Sequence, residues 1–215
     1  MRNWWLNIWH LQTVDFGGRI ALKEFGKMVL VKGGNVSSAT DLARQTIRNL
    51  IELGISDFVV SPGSRNAPLS IALNEAKSHG IIELHIKLDE RGAAFYALGI
   101  AKATDKHVAV ICTSGTAAAN FHPALLEAWH GSNKLIAITA DRPERLRKTG
   151  ANQTTDQVGM FPNIPAFDLV SGVTFELGNG PTHLNIQFDE PLLPNNSNDW
   201  LTGLKIVPPK IEVES

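Results

Sequence analysis

Short apolar runs that alternate with helical patterns constrain the fold of this chain more than any other feature. The segments "HVAVICTS" (107–114) and "KLIAITA" (134–140) are nearly continuous apolar runs, and "GTAAANFHPALLEAWHG" (115–131) lies between them with a helical composition. A strand that is apolar on both faces needs cover on both, which is typical of parallel sheets flanked by helices. The sequence therefore predicts an α/β fold, an open parallel sheet with helices on both faces and right-handed crossovers.

The same alternation begins at Ser38, which with Asp41 resembles a capping box. Helices are predicted over 39–51, 68–77, 91–103 and 115–131, and strands over 57–61, 81–88, 107–114, 134–140 and 182–188.

Three regions are predicted along the chain. Residues 1–37 are interpreted as an N-terminal extension of non-native or upstream origin, because polar residues interrupt its tryptophan-rich start. Residues 38–193 form the folded domain. Residues 194–215 are rich in proline, asparagine and serine, which indicates a linker.

Net charge and cysteine content argue against several classes of function. The net charge is -1 and no basic run is present, which argues against nucleic-acid and membrane partners. One cysteine, Cys112, excludes an internal disulfide framework and a cysteine-rich metal site. A reducing cytoplasm is the expected location.

Four polar loops follow predicted strands: "SPGSRN", "DERG", "TSGTA" and "ADRPE". The carboxyl ends of parallel strands share one edge of a sheet, and ligands of open α/β sheets bind there. We therefore expect a functional site built from these loops.

The first and last of these loops carry candidate anion-binding residues. Arg65 follows Ser64 in a tight Pro-Gly turn, and Arg142 follows an apolar strand, with Asn152 and Gln153 further on. Guanidinium groups bind carboxylates bidentately, so these residues predict a site for a small acid with more than one carboxylate. The alternatives are a helix cap at Ser64 and a solvated charged surface around Arg142.

The other two loops begin helices. Thr113, Ser114, Gly115 and Thr116 stand at a helix N-terminus that favours an anion or polar ring atoms, although Walker and dinucleotide glycine patterns are both absent. The alternative is that the hydroxyls only cap the helix. Glu90 stands where a strand passes into an apolar helix, and is either a cap or a working carboxylate.

Five segments in this order resemble one enzyme family: "SPGSRNAPL", "DERGAAFYALGIAKA", "TSGTAAAN", "ADRPERLRKTGANQTTDQVGMF" and "GPTHLNIQFDEPL". They are similar to the pyrimidine-binding domain of the thiamine-diphosphate-dependent 2-succinyl-5-enolpyruvyl-6-hydroxy-3-cyclohexene-1-carboxylate synthases of menaquinone biosynthesis. The resemblance covers about Ser38 to Leu193.

The resemblance implies a reaction and roles for residues. The family decarboxylates 2-oxoglutarate and adds the succinyl carbanion equivalent to isochorismate. Glu90 would be the catalytic residue that hydrogen bonds N1′ of the cofactor's aminopyrimidine, beside Thr113, Ser114, Gly115 and Thr116. The isochorismate side would be formed by Ser64, Arg65, Arg142, Asn152 and Gln153.

The resemblance also implies partners. Mg2+ and the diphosphate would be held by a further domain whose Gly-Asp-Gly motif this chain lacks, in a homodimer or dimer of dimers. The chain then looks like a fragment or truncated product, and alone it is expected to be inactive.

Three alternatives stay open at this point. A different thiamine-diphosphate carboligase or decarboxylase domain would keep Glu90 but leave "SPGSR" and "GANQ" without a reason. A non-catalytic assembly module would keep only the association surface of the domain. A nucleotide-binding Rossmann-like domain is compatible with the fold but lacks the glycine fingerprint.

Overall fold

Seven parallel strands form one open sheet in the order β1-β6-β7-β5-β4-β2-β3. A computed structural model of the chain describes residues 38–170, 175, 177–194, 196 and 198–205, and residues 29–30 as backbone only. The strands are β1 (Val29–Leu30), β2 (Asp57–Val60), β3 (Glu83–Ile86), β4 (Val108–Cys112), β5 (Leu135–Asp141), β6 (Ala166–Leu169) and β7 (Thr182–Gln187).

Burial of the central strands explains the apolar runs in the sequence. Every residue of β4, β5 and β7 is buried, so these strands are covered on both faces. The predicted α/β fold with an open parallel sheet is confirmed.

Five helices and one 3₁₀ turn connect the strands in the described part of the chain. They are α1 (Ala39–Glu52), α2 (Ala67–Ser78), α3 (Glu90–Thr104), α4 (Thr116–Ala119), α5 (His122–His130) and the 3₁₀ turn Glu144–Leu146. One buried cluster joins α1 and α2 to the sheet, and a second joins α3, α4 and α5 to it. Helices therefore lie in two layers, one on each face.

The start of α1 follows the capping pattern of the sequence. The Ser38 hydroxyl oxygen accepts a hydrogen bond from the Asp41 backbone N–H at 3.1 Å, and the hydroxyl donates to the Asp41 carboxylate at 2.6 Å. Gly54 follows the helix with a φ of 87°, a left-handed conformation that glycine adopts without a steric cost.

The single helix predicted over 115–131 is wrong: α4 ends at Ala119 and α5 begins at His122. Pro123 stands in the first turn of α5 and has no N–H to donate to the carbonyl of residue 119. The chain therefore makes a tight turn, in which the Asn120 amide side chain donates to the Thr116 carbonyl at 2.9 Å.

Two strands were not anticipated. β6 is short and contains the buried charge Asp168, so it shows no apolar run. β1 pairs with β6 through residues 29–30, which the sequence assigned to the N-terminal extension. The rest of that extension and residues 206–215 lie outside the described residues, and the three region boundaries stay predictions.

The predicted linker packs against α1 and α2 where it is described. Arg44 of α1 is buried, pairs with Glu75 of α2 at 3.0 Å, and donates to the Asn196 side chain at 2.5 Å. Trp200 donates its indole N–H to the same Glu75 carboxylate. These contacts hold the segment around residue 200 across the outer surface of the first helical layer.

None of the helices among the described residues combines the length and apolar character needed to cross a membrane.

Candidate active site

The loops after β2 and β4 meet where the strand order changes direction. β2 pairs with β3 on one side and with β4 on the other, so the chain switches sides of the sheet at this point. A Cβ atom added at Gly63 would lie 2.6 Å from the Cβ atom of Thr113. Such switch points form crevices in which open α/β sheets bind ligands.

Asn66 fixes the "SPGSRN" turn from inside. It is fully buried, accepts a hydrogen bond from the Gly63 N–H at 2.7 Å, and donates to the Ser61 carbonyl at 2.9 Å. Asn66 is also the residue that precedes α2, so Ser64 is not the cap considered above. Ser64 is left exposed at the rim.

Two guanidinium groups lie near each other at this rim. Arg65 donates to the Phe188 carbonyl at 3.1 Å and lies 3.3 Å from the Glu190 carboxylate. Arg142 donates to the Ser114 hydroxyl and to the Gln153 carbonyl, both at 3.0 Å. Partial burial lowers the pKa of Arg142, and the charge of Arg65 lowers it further.

Gln153 packs directly on the "TSGT" loop. Its side chain donates to the Ser114 carbonyl at 3.0 Å, and its own carbonyl accepts from the Ser114 hydroxyl at 2.9 Å. A Cβ atom at Gly115 would lie 2.8 Å from the Gln153 side chain. Gly115 has a φ of 77°, so this position combines a left-handed backbone with a close approach.

The remaining predicted residues differ in exposure. Thr113 is buried against Gly63, whereas Thr116 is exposed at the start of α4. Asn152 is exposed, and its side chain makes no hydrogen bond to the other described residues. The structure thus brings Arg65, Arg142, Gln153 and the loop 113–116 together, with Ser64 and Asn152 at the solvent edge.

Asp89, not Glu90, caps α3. The Asp89 carboxylate accepts from the Gly92 N–H at 2.6 Å, and Glu90 is the first residue of the helix. The half-buried Glu90 carboxylate is therefore not used as the cap. Burial raises the pKa of the Cys112 thiol, and the charge of Glu90 raises it further, which puts this carboxylate near the carboxyl end of β4.

A buried polar network beneath the rim that carries Arg65 and Arg142 was not predicted. Arg147 contacts the Asp141 carboxylate at 2.9 Å and binds both carboxylate oxygens of Asp168, at 2.9 and 3.1 Å. Asn185 donates to both carboxylates, at 3.0 and 2.9 Å, and Gln187 donates to Asp168 at 2.8 Å. Burial raises the pKa of Asp141, while Asn185 and Arg147 oppose that rise.

Gln157 joins this network to the site and was also missed. It is fully buried, accepts from the Gly115 N–H at 2.7 Å, and donates to the Ala140 carbonyl and to Asn185, at 3.2 and 2.9 Å. One sequence signal was available, because Asn185 and Gln187 are polar residues inside a strand whose neighbours are apolar. Buried polar side chains need partners, and those partners mark a network.

His183 is the one histidine of the described residues whose pKa is displaced far from its usual value. Complete burial lowers its pKa to about 3. Its Nε2 lies 2.7 Å from the Thr139 hydroxyl, and its ring packs edge-on against Phe161. Within the described residues, no group of three or more His, Cys, Asp or Glu side chains could hold a metal ion.

Comparison with known proteins identifies the class to which this fold and site belong. Residues 40–160 match the family described as "Thiamine pyrophosphate enzyme, N-terminal TPP binding domain", and the chain belongs to this family. The resemblance to thiamine-diphosphate enzymes is thereby confirmed.

Individual relatives carry a more specific name than the family. The chain is 53% identical to a 2-succinyl-5-enolpyruvyl-6-hydroxy-3-cyclohexene-1-carboxylate synthase of a Nocardioides species, over 76% of this chain and 30% of the relative. It is 42% identical to a synthase of the same name from Saccharopolyspora erythraea, over 79% of this chain and 34% of the relative. It is 43% identical to a synthase of the same name from Thermobifida fusca, over 74% of this chain and 32% of the relative. The chain spans about a third of the length of these relatives.

The contact between Gly63 and Thr113 leads to a first prediction. Gly63→Ala should lower the free energy of unfolding by about 1–3 kcal/mol, the usual cost of overpacking, because the new methyl group meets the Thr113 Cβ atom at 2.6 Å. Thr113→Ser should not rescue this variant since it keeps that Cβ atom, whereas Thr113→Gly should. Urea denaturation measures the free energy of unfolding of Gly63→Ala alone and combined with each Thr113 substitution. Rescue by Thr113→Ser would contradict the contact between residue 63 and the Thr113 Cβ atom.

The environment of His183 leads to a second prediction. With a pKa of about 3 in the folded protein and 6.5 as its ordinary value, His183 takes up a proton only on unfolding between these limits. The free energy of unfolding should therefore fall as the pH drops from about 6.5 towards 3, by up to about 1.4 kcal/mol per pH unit from this group. His183→Leu should remove this component of the slope in chemical denaturation measured from pH 7 to 4. An unchanged slope would contradict the burial of a neutral ring.

Proposed function

We propose that this chain is the pyrimidine-binding domain of a synthase that decarboxylates 2-oxoglutarate and adds the succinyl carbanion equivalent to isochorismate in menaquinone biosynthesis. The observation that carries the proposal is the pairing of Arg65 and Arg142 beside the Ser114–Gln153 contact, at the same sheet edge as Glu90. The names of the most similar relatives support it.

The cofactor-facing residues fit the aminopyrimidine end of thiamine diphosphate. A half-buried carboxylate that is not consumed as a helix cap can hold a proton at a ring nitrogen, and Glu90 has this property. Thr113, Ser114, Gly115 and Thr116 follow the carboxyl end of β4, two strands away from β3, and offer hydroxyl and backbone groups suited to a neutral polar ring. When bound, thiamine diphosphate supplies the carbanion chemistry, and these residues orient its ring.

The substrate-facing residues fit an acid with two carboxylates. Isochorismate carries two carboxylates and a hydroxyl group. Arg65 and Arg142 supply two guanidinium groups that can each bind a carboxylate, while Ser64, Asn152 and Gln153 add neutral donors and acceptors at the rim. Their arrangement orients the acceptor substrate over the loop 113–116.

Mg2+ and the diphosphate group are proposed to bind to protein outside this domain. None of the described residues forms a metal-binding cluster, and Glu90 has the chemistry of a ring partner. We infer that the chain alone turns over no substrate and that the active enzyme is cytoplasmic, in keeping with the buried free thiol of Cys112.

A second copy of the chain is the partner that we propose for the outer face of α3 and α5. The inner face of α3 packs on the sheet through alanines, whereas large apolar side chains of the two helices stay about 40% exposed: Phe95, Tyr96, Leu126 and Trp129. Monomeric proteins rarely expose such a contiguous surface. Glu90 begins the same helix as Phe95 and Tyr96, so association through this face would bring a second protein surface towards the proposed catalytic carboxylate.

The main experiment tests Glu90 in a reconstituted enzyme. The chain is mixed with the central and diphosphate-binding domains of the Nocardioides relative, and consumption of isochorismate is followed with 2-oxoglutarate, thiamine diphosphate and Mg2+. Activity should appear only in the mixture, and Glu90→Gln should lower it by about 10²–10⁴-fold, the usual contribution of a positioned proton-transfer group.

Glu83→Gln is the matched control, because Glu83 is an exposed glutamate on β3 and its replacement makes the same charge change. Full activity of the Glu90→Gln mixture would contradict the proposed role. Activity with pyruvate in place of 2-oxoglutarate would favour a different carboligase. A complex that forms but stays inactive with wild-type chain would favour the assembly module.

Self-association makes a separate prediction. Phe95→Arg should shift the chain from dimer to monomer in sedimentation velocity, because it places a charge in the centre of the apolar surface of α3. Leu53→Arg is the control, since Leu53 is 46% exposed but lies at the end of α1 in the other helical layer. Equal effects of the two substitutions, or a monomeric wild-type chain, would contradict the proposed surface.

A further inference from the structure

One buried asparagine contacts both carboxylates and the buried glutamine of the polar network beneath the site. Asn185 in β7 is fully buried and uses both ends of its side-chain amide: the oxygen accepts from Thr139 and from Gln157, both at 2.9 Å, and the nitrogen donates to Asp141 and Asp168. We propose that Asn185 is a positioning residue that holds the segment 142–157, and with it Arg142 and Gln153, in register with the cofactor-facing loop 113–116.

The amide oxygen of Asn185 holds the far end of this segment. It accepts from Gln157, whose own oxygen accepts the Gly115 N–H at 2.7 Å. The chain Asn185–Gln157–Gly115 is thus a direct connection between the centre of the sheet and the "TSGT" loop. The side chain and carbonyl of Gln153 complete the contact at Ser114.

The amide nitrogen of Asn185 holds the start of the segment 142–157, at Arg142. It donates to Asp141, whose other oxygen accepts the Arg142 backbone N–H at 2.7 Å. It also donates to Asp168, the carboxylate that binds Arg147 through both oxygens. Asn185 is therefore connected to both ends of the segment, to Arg142 through Asp141 and to Gln157 directly.

Only a primary amide satisfies this position. Its nitrogen faces two carboxylates and must donate, while its oxygen faces the Thr139 hydroxyl and the Gln157 amide and must accept. A carboxylate here would be a third negative group beside Asp141 and Asp168. An apolar side chain would leave buried donors and acceptors without partners.

The geometric part of this inference stands independently, whereas its consequence for catalysis rests on the function proposed above. If the segment 142–157 shifts, Arg142 and Gln153 move relative to Ser114 and Gly115, although no residue that touches substrate has been changed. A displacement of about 1 Å is enough to lower the rate of an oriented reaction strongly.

Hydrogen exchange followed by NMR on the full chain tests the geometric part. Asn185→Leu should accelerate exchange of the Gly115 amide by about tenfold more than exchange of the β2 amides, the factor expected for loss of one buried neutral hydrogen bond. The Gly115 amide proton should also shift upfield as its bond to Gln157 weakens.

Thr139→Val is the matched control. It removes a hydrogen bond to the same Asn185 oxygen within the same buried strand layer but leaves Gln157 in place. It should change exchange at Gly115 and in β2 by one common factor. If Asn185→Leu also gives a common factor, Asn185 serves stability alone and the inference is overturned.

Gln157→Met covers the case in which Asn185→Leu does not fold. It cuts the connection between Asn185 and Gly115 while the contacts of Arg147 with Asp141 and Asp168 remain. The Gly115 amide should again lose protection selectively, and uniform protection would overturn the inference.

The reconstituted mixture tests the consequence for catalysis. Gln157→Met should raise KM for isochorismate at least severalfold more than KM for 2-oxoglutarate, and equal changes would contradict positioning of the isochorismate side. An inactive wild-type mixture would count against the proposed function, whereas the exchange result would keep its meaning because it needs no ligand.

Discussion

The contact of one guanidinium group with two buried carboxylates fixes the functional edge of this sheet. Arg147 reaches from the loop after β5 to Asp141 at the end of β5 and to Asp168 in β6. Each of these charges would be costly to bury alone, so each is tolerable only while the others are in place. Asn185 and Gln187 satisfy the remaining carboxylate lone pairs. The ends of three neighbouring strands and the loop above them are therefore bound together by electrostatic requirements as well as by apolar packing.

The helical layers on the two faces of the sheet differ in how their outer surfaces are covered. On the side of α1 and α2, the segment around Trp200 lies across the helices and its contacts with Arg44 and Glu75 cover that surface. On the side of α3 and α5, aromatic side chains such as Phe95 and Trp129 face solvent. Glu90 is the first residue of α3, the helix that carries Phe95. Under the self-association proposed above, this asymmetry would let a second protein surface complete the site around that carboxylate.

Much of the fold follows from the sequence because burial on both faces leaves a strong pattern. Strands β4 and β5 are recognisable as apolar runs, and helix α1 is recognisable from its cap at Ser38. β6 is not, because Asp168 is an acceptable core residue only in the presence of Arg147, which lies 21 positions away in the chain. A local pattern cannot show that a charge is paired at long range.

The residues of the candidate site also fall into two groups, those that a local sequence pattern predicts and those that it does not. Residues on loops at the carboxyl ends of strands could be named from strand ends and loop chemistry, and Arg65, Arg142 and Gln153 do lie together. Gln157 could not, because its role is defined by the Gly115 N–H in the loop after β4 and by Asn185 in β7. The first group lies on loops at the rim, and its chemistry is visible in the sequence. The second group meets only other buried groups, and its meaning appears only once the chain has folded.

The charges of Arg65 and Arg142 repel each other, and under the proposed function this repulsion would favour binding of an anion. Partial burial and the neighbouring charge of Arg65 both lower the pKa of Arg142, while Asp141 and Glu190 only partly compensate. Two cations that repel each other in the free protein gain more from an added anion than either would alone, because the anion relieves the repulsion as it binds. The hydrogen bonds of the Arg142 guanidinium to the Ser114 hydroxyl and the Gln153 carbonyl hold that group at the rim. Under the proposed function, this repulsion would favour a ligand with two carboxylates over a ligand with a single charge.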